Sequence, residues 1–119
     1  SYRCDANGGL LTHDTQMVAF HLDQSDQYHH INTNVYMSRA LDLLALQCSK
    51  AGGDVGRLRF RNITIYFRKP FVPGETAEVD LDFALLEDRF HGAVRFYHSS
   101  NGARSERISM AMETCGPLA

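Results

Sequence analysis

The chain has 119 residues, of which 44% are apolar and 22% charged. At ~150 residues per domain that length holds one core, and the composition sits near the globular average and away from disordered chains. The 12 Lys and Arg against 14 Asp and Glu leave a net charge of -2, which excludes nucleic-acid binding driven mainly by charge, since that needs a concentrated basic patch.

A domain of this size buries roughly 65% of the surface its unfolded chain exposes, so a core forms without staples. No apolar run approaches the ~20 residues of a membrane span, and no signal-peptide pattern opens the sequence. Cys4, Cys48 and Cys115 are odd in number and lack a CxxC pair. Reduced thiols in a cytoplasmic protein are therefore expected.

A single domain over residues 1–119 is expected, with 1–13 as an irregular lead-in and 114–119 as a tail. Thr15–Leu22 has the character of a first strand, and the polar stretch Asp23–Ile31 that of a loop. The spacing of Met37, Leu41, Leu44 and Cys48, widened by Tyr36, Ala40 and Leu43, predicts a long helix over Asn32–Ala51. Asn32 or Thr33 can cap its start, and Gly52-Gly53 can end it. So wide an apolar band implies a helix contacted on most sides.

Arg57–Phe67 is β-branched and aromatic, the composition of a strand, and runs into the turn signal Pro70-Phe71-Val72-Pro73-Gly74. Ala77, Val79, Leu81, Phe83 and Leu85 alternate with acidic residues, which predicts a strand with one wet face. Phe90–His98 and Glu106–Glu113 complete the set, with Asn101-Gly102 favouring a tight hairpin between them. The fold class is α+β: an antiparallel sheet that must bury its face on one long helix.

Chemistry concentrates in Asp26-Gln-Tyr-His-His30-Ile-Asn32-Thr-Asn-Val-Tyr36. This segment sets a carboxylate, two histidines and an amide directly before a helix N-terminus. The first helical turn leaves N–H groups unpaired and carries partial positive charge, so it can stabilise an oxyanion forming on a carbonyl. A carboxylate just upstream can attack that carbonyl or activate water. The combination suits thioester hydrolysis.

The same segment resembles the signature of the hot-dog-fold thioesterases of the 4-hydroxybenzoyl-CoA and acyl-ACP kind, Asp-x-x-Gly-His-Val-Asn-Asn-x-x-Tyr. Asp26, His30, Ile31, Asn32 and Tyr36 fall on its positions, while His29 stands where Gly is usual and Thr33 where the second Asn is usual. Downstream, Tyr66-Phe-Arg-Lys-Pro70 and Pro73-Gly74-Glu75 look like the family's strand ending and turn. The resemblance spans roughly residues 15–113. Plant members have Asn at the position of Tyr28 and a carboxylate near that of Lys69, so their residue network is not reproduced.

The resemblance implies a curved antiparallel sheet wrapped around one central helix. It also implies an acyl-CoA or acyl-ACP substrate, a dimer or tetramer with sites at a subunit boundary, and no metal or redox cofactor. Asp26 then acts as nucleophile or base with His30 and Asn32 beside it, and the backbone at Thr33 and Asn34 forms the oxyanion site. Tyr36, Tyr66, Phe67, Arg68 and Lys69 would meet the substrate. Each residue also has a plainer reading: Asp26 and Asn32 as caps, His30 as a buried histidine ordering the loop, Tyr36 and Cys48 as core, Asp42 as a solvated helix carboxylate. Arg59, Arg61, Arg68 and Lys69 form a possible phosphate-binding group, or exposed strand-face charge. Two other functions fit less well. A hot-dog hydratase places His five residues after Asp, not four, and a non-catalytic acyl-binding module would not require Asp26.

Overall fold

The structure is a computed structural model, and it describes residues 10–50, 54–86 and 89–114. Among these, five strands and one α-helix follow in order: β1 (Leu10–Ala19), α1 (Thr33–Lys50), β2 (Phe60–Phe67), β3 (Thr76–Leu86), β4 (Arg89–Ser100) and β5 (Ala103–Thr114). They form one antiparallel sheet in the order β1-β3-β4-β5-β2. Because β1 and β2 are the two edges, the chain between them must cross the whole sheet, and that crossing is α1.

The helix lies on the face made by alternate strand residues. Ala77, Val79, Leu81 and Phe83 of β3, Val94 and Phe96 of β4, and Ile108, Met110 and Met112 of β5 are buried there against Tyr36, Ala40, Leu44 and Cys48. Each such large apolar side chain contributes roughly 1.5–3 kcal/mol by leaving water. Cys48 is a free, buried thiol whose pKa is pushed up by burial, so it behaves as a small apolar core residue. At Gly92 the helix packs tightly on β4: a Cβ there would stand 2.9 Å from Leu44 Cδ1.

The opposite face of the sheet is polar and ion-paired. Arg95 meets Asp82 at 3.0 Å, and Arg104 meets Asp80 at 3.0 Å and Glu78 at 2.7 Å. The β4–β5 hairpin closes through Asn101 and Gly102, both with positive φ (52° and 78°) and flanked by the pair Ser100↔Ala103, which is the two-residue turn that suits the sheet's twist.

Three expectations change. First, β1 begins at Leu10, not Thr15, so residues 10–13 are strand and not lead-in, and it ends at Ala19. Its helix-facing positions include Asp14 and Gln16, so the apolar alternation that marks a strand is missing there. Asp14 Oδ2 instead accepts from Gln16 Nε2 (2.7 Å) and Gln47 Nε2 (2.9 Å). Second, β2 begins at Phe60, because Val55–Arg57 forms a 3₁₀ turn. Third, the helix is covered on one side: Ser38, Asp42, Leu46 and Ser49 are exposed, and the wide apolar band comes from the half-buried flanks Met37, Leu41, Leu43 and Ala45. Residues 1–9, 51–53, 87–88 and 115–119, including Cys4, Cys115 and the Gly52-Gly53 terminator, lie outside the described residues, and of the expected tail 114–119 only Thr114 is described, as the end of β5.

Candidate functional site

After β1 the chain turns through a 3₁₀ segment, Leu22–Gln24, and forms a closed loop whose neck is a bridge between Ser25 and Ile31. The Asn32 N–H donates to Gln24 O at the same neck (3.1 Å). Inside the loop, Asp26 organises the backbone. Its N–H donates to His30 O (2.8 Å), and its carbonyl accepts from His29 N–H (3.0 Å). Its Oδ1 accepts from the N–H groups of Tyr28 (2.8 Å) and His30 (3.1 Å). A short carboxylate bonding its own following backbone is the usual way Asp stabilises a turn. Here it leaves Oδ2 with no protein partner among the described residues.

The two amides, His30 first and then Tyr28, hold the Asp26 carboxyl below its ordinary pKa, and the group is exposed. To close the loop the chain passes through the left-handed region at His29 (φ 60°). A β-carbon is disfavoured there, which gives a physical reason for glycine at this position of the resembled motif.

Helix α1 starts two residues past the loop. Val35 N–H bonds back to Asn32 O (3.0 Å), while the N–H groups of Thr33 and Asn34 find no acceptor among the described residues. These are the first two donors of an 18-residue helix, where the partial positive charge of the aligned peptides is greatest. Asp26, its open Oδ2 and two free amides thus lie within eight residues of chain.

The loop is tied to the sheet through Phe71. Ile31 N–H donates to Phe71 O (2.9 Å), and Phe71 N–H donates to Tyr36 Oη (2.7 Å). Tyr36 is fully buried (0% exposed) among Phe20, Phe67, Phe71 and Phe96, with ring centroids 5.5 to 6.0 Å away. Burial raises its pKa, so it stays a neutral phenol. Tyr36, expected to meet the substrate, is thus enclosed in the core of this chain, where its hydroxyl holds Phe71 N–H. The His30 ring is exposed, and it is the backbone of His30 that helps order the loop.

Comparison with protein-family models finds no match, and comparison with curated protein sequences finds none either. Solved structures do match. A mutant of an acyl-CoA hydrolase from Staphylococcus aureus superposes with a TM-score of 0.75 at 10% identity over 87% of this chain. This chain spans 65% of that protein's length. A 1,4-dihydroxy-2-naphthoyl-CoA thioesterase from Synechocystis gives 0.71 at 15% identity, covering 91% of this chain and 85% of the other. A mutant 4-hydroxybenzoyl-CoA thioesterase, in complex with 4-hydroxybenzoyl-CoA, gives 0.67 at 9% identity, covering 86% and 81%. The chain has the hot-dog fold. At these identities the likeness is one of architecture, and the site rests on this chain's own residues.

Within the hot-dog, the end of β2 reaches the helix start. Phe67 stacks edge-on against Tyr36 and is 47% exposed, and Tyr66 is 65% exposed on the other face of the edge strand. Arg68 and Lys69 follow; both N–H groups bond Arg107 O, and the Arg68 guanidinium lies 3.6 Å from Glu106. Arg59 sits at the opposite end of β2, roughly 26 Å away at 3.3 Å per residue, where it bonds the carbonyls of Gly56 and Leu58. The expected group of four cations is therefore not one patch; the Arg61 side chain lies outside the described residues. Asp42 is nine residues up the helix, roughly 13 Å from its start.

One cluster is absent from the sequence expectations. Arg107 Nη1 donates to Pro70 O (3.3 Å) and Glu75 Oε1 (3.0 Å), with its guanidinium 4.8 Å from the Phe71 ring centroid. Glu75 Oε1 also accepts from Val72 N–H (3.0 Å), and Oε2 lies 3.1 Å from His98 Nε2. Burial pushes Glu75 up, and the bonds from Arg107 and Val72 N–H outweigh it, so its pKa ends below the ordinary value. The signal in the sequence is Arg107 beside the apolar run Ile108, Met110, Met112. The pairing skips Arg107, passing from Phe96↔Ile108 to Tyr97↔Glu106, and such a bulge re-aims a side chain in a way alternation does not foretell.

Proposed function

We propose that this chain hydrolyses acyl thioesters of coenzyme A or of an acyl carrier protein. The observation that carries the proposal is the Asp26 carboxylate, ionised and pinned by Oδ1, a few residues from two unengaged amides at a helix start. The thioester carbonyl oxygen would accept from Thr33 and Asn34 N–H, backbone donors of the kind that stabilise an oxyanion. His30 and Asn32 precede these amides in the chain. The net reaction adds water across the acyl–sulfur bond, releasing a carboxylic acid and a thiol.

Two routes share this geometry. In one, Asp26 Oδ2 attacks the carbonyl carbon, the thiolate leaves, and water hydrolyses the acyl-aspartyl anhydride. In the other, Asp26 takes a proton from an attacking water. A general base works best with a pKa near the working pH, and the two amides move Asp26 away from that range. The same lowering weakens a carboxylate both as base and as nucleophile, so the two routes are separated by experiment. A single turnover in H₂¹⁸O distinguishes them where water opens the anhydride at Asp26 Cγ: the first acid product is then unlabelled and ¹⁸O enters Asp26, whereas a general base never labels Asp26.

Support for the thioester comes also from the structural neighbours, one of which is an acyl-CoA hydrolase in complex with butyryl-CoA and coenzyme A. A hydratase would pair Asp26 with the imidazole of His30. Here the carboxylate takes backbone amides instead, which weighs against that reading. The acyl group would lie against Phe67 and Tyr66 at the open edge of β2, with Arg68 and Lys69 toward the carrier's phosphates. Asp26 is exposed in the single chain, so we propose a dimer in which a second copy supplies the other wall of the site. The proposed chemistry calls on neither a metal nor a redox cofactor, and a cytoplasmic location fits substrates made there.

The test is a panel of short, long and aromatic acyl-CoAs, with free thiol release and double-bond hydration assayed in parallel. Thiol release with catalytic turnover supports the proposal. Hydration without thiol release would assign a hydratase, and saturable binding with neither would assign a binding module.

A further inference from the structure

The segment Pro70–Glu75 is held more heavily than a turn requires. Pro73-Gly74 already supplies the turn, with Gly74 in the left-handed region (φ 91°). Yet three of the polar backbone groups before it are tied to other parts of the chain, and a fourth to Glu75 within the segment. Pro70 O accepts from Arg107, Phe71 N–H donates to Tyr36, Phe71 O accepts from Ile31, and Val72 N–H donates to Glu75. The arginine end of this bracket is buried, with 9% of the Arg107 side chain exposed. Burying a charge has a desolvation cost that a structural pair often fails to recover. Such an arrangement does not follow from stability alone.

What the bracket fixes is visible from where it leads. From β5 it runs through Arg107 to Pro70 and Phe71, and Phe71 grips the chain on both sides of the helix start, at Ile31 and Tyr36. Between those two contacts lie Asn32, Thr33 and Asn34. The arginine reaches this position only because the β4–β5 pairing skips it.

We infer that Arg107 is a positioning residue: through Pro70–Phe71 it sets the helix-start amides and the Asp26 loop in the geometry that thioester chemistry needs. The inference rests on the proposed function, and it extends it to a residue that itself touches no substrate. Displacement of a reacting group by ~1 Å costs on the order of 10²-fold in rate, whereas the substrate's binding surface at β2 is left in place.

The experiment compares the full chain with Arg107→Met, Arg107→Lys and the control Arg95→Met. Arg95 is similarly buried (12% exposed) and ion-paired with Asp82, but on the opposite face of the sheet. For the best acyl-CoA of the panel, Arg107→Met should lower kcat on the order of 10- to 100-fold with KM nearly unchanged. Arg107→Lys should recover most of that loss. Arg95→Met should lose comparable melting temperature while keeping its kcat. Amide NMR signals of Ile31, Thr33 and Asn34 should shift in Arg107→Met and stay fixed in Arg95→Met. Equal kcat losses in the two methionine variants, or unmoved Ile31, Thr33 and Asn34 signals, overturn the inference. If the wild type releases no thiol from any acyl-CoA, the functional reading fails, and the amide signals alone decide whether Arg107 positions this loop. Should Arg107→Met not fold, Glu75→Gln weakens the same anchor and carries the same expectations in smaller degree.

Discussion

At His29, backbone geometry and residue type pull against each other. The closed Asp26 loop needs a positive φ there, and a β-carbon in that region costs on the order of 1–2 kcal/mol. Glycine removes that cost but adds freedom to the unfolded chain, which takes back roughly 0.5–1 kcal/mol. His29→Gly should therefore be neutral to slightly stabilising, and His29→Val clearly destabilising; thermal melting of the pair against wild type checks the order. Asp26 makes the second residue-scale prediction. Its folded pKa lies below the ordinary carboxylate value, so its contribution to stability is present above the unfolded pKa and is lost as pH falls through the lower folded one. The same shift keeps it ionised, and the kcat/KM profile should show no acid limb from Asp26 above about pH 4. A limb at pH 5–6 that vanishes in Asp26→Asn would contradict that. The motif around Asp26 was legible because loop chemistry is local. Tyr36 was hard to place because an apolar-face tyrosine beside a site has the same pattern whether it lines a pocket or, as here, accepts from Phe71 N–H inside the core.

The elements were legible wherever one face is apolar and the other polar. β3 is the clearest case, with four buried residues alternating with Glu78, Asp80 and Asp82. The start of β1 was hidden because Asp14 and Gln16 face the helix and satisfy each other and Gln47. The bulge at Arg107 was hidden because register is set by pairing between strands. Packing of helix on sheet gives the element-scale prediction. Gly92→Ala places a methyl against Leu44, and overpacking of this kind costs typically 1–3 kcal/mol. Trimming Leu44 to Ala makes room, so the two substitutions should be less than additive in denaturant unfolding. Full additivity would mean that α1 and β4 do not meet at these residues.

On the scale of the whole molecule, the sheet has two edges, β1 and β2, and β2 carries the exposed aromatics Tyr66 and Phe67 beside the site. An open edge with apolar side chains invites pairing with another copy. Sedimentation should therefore show a dimer or tetramer at micromolar concentration, and a stable monomer would remove the second wall from the proposed site. Everything in the functional account nevertheless passes through Asp26, whose charge is the one group that the free amides cannot replace. The decisive measurement is thiol release from acyl-CoA by Asp26→Asn against wild type. The substitution keeps a side-chain oxygen for the Tyr28 and His30 amides and removes the charge. The account predicts turnover lower by a factor of about 10²–10⁴ with affinity little changed, whereas turnover within about threefold of wild type, a far smaller change than loss of a positioned acid or base gives, would contradict it.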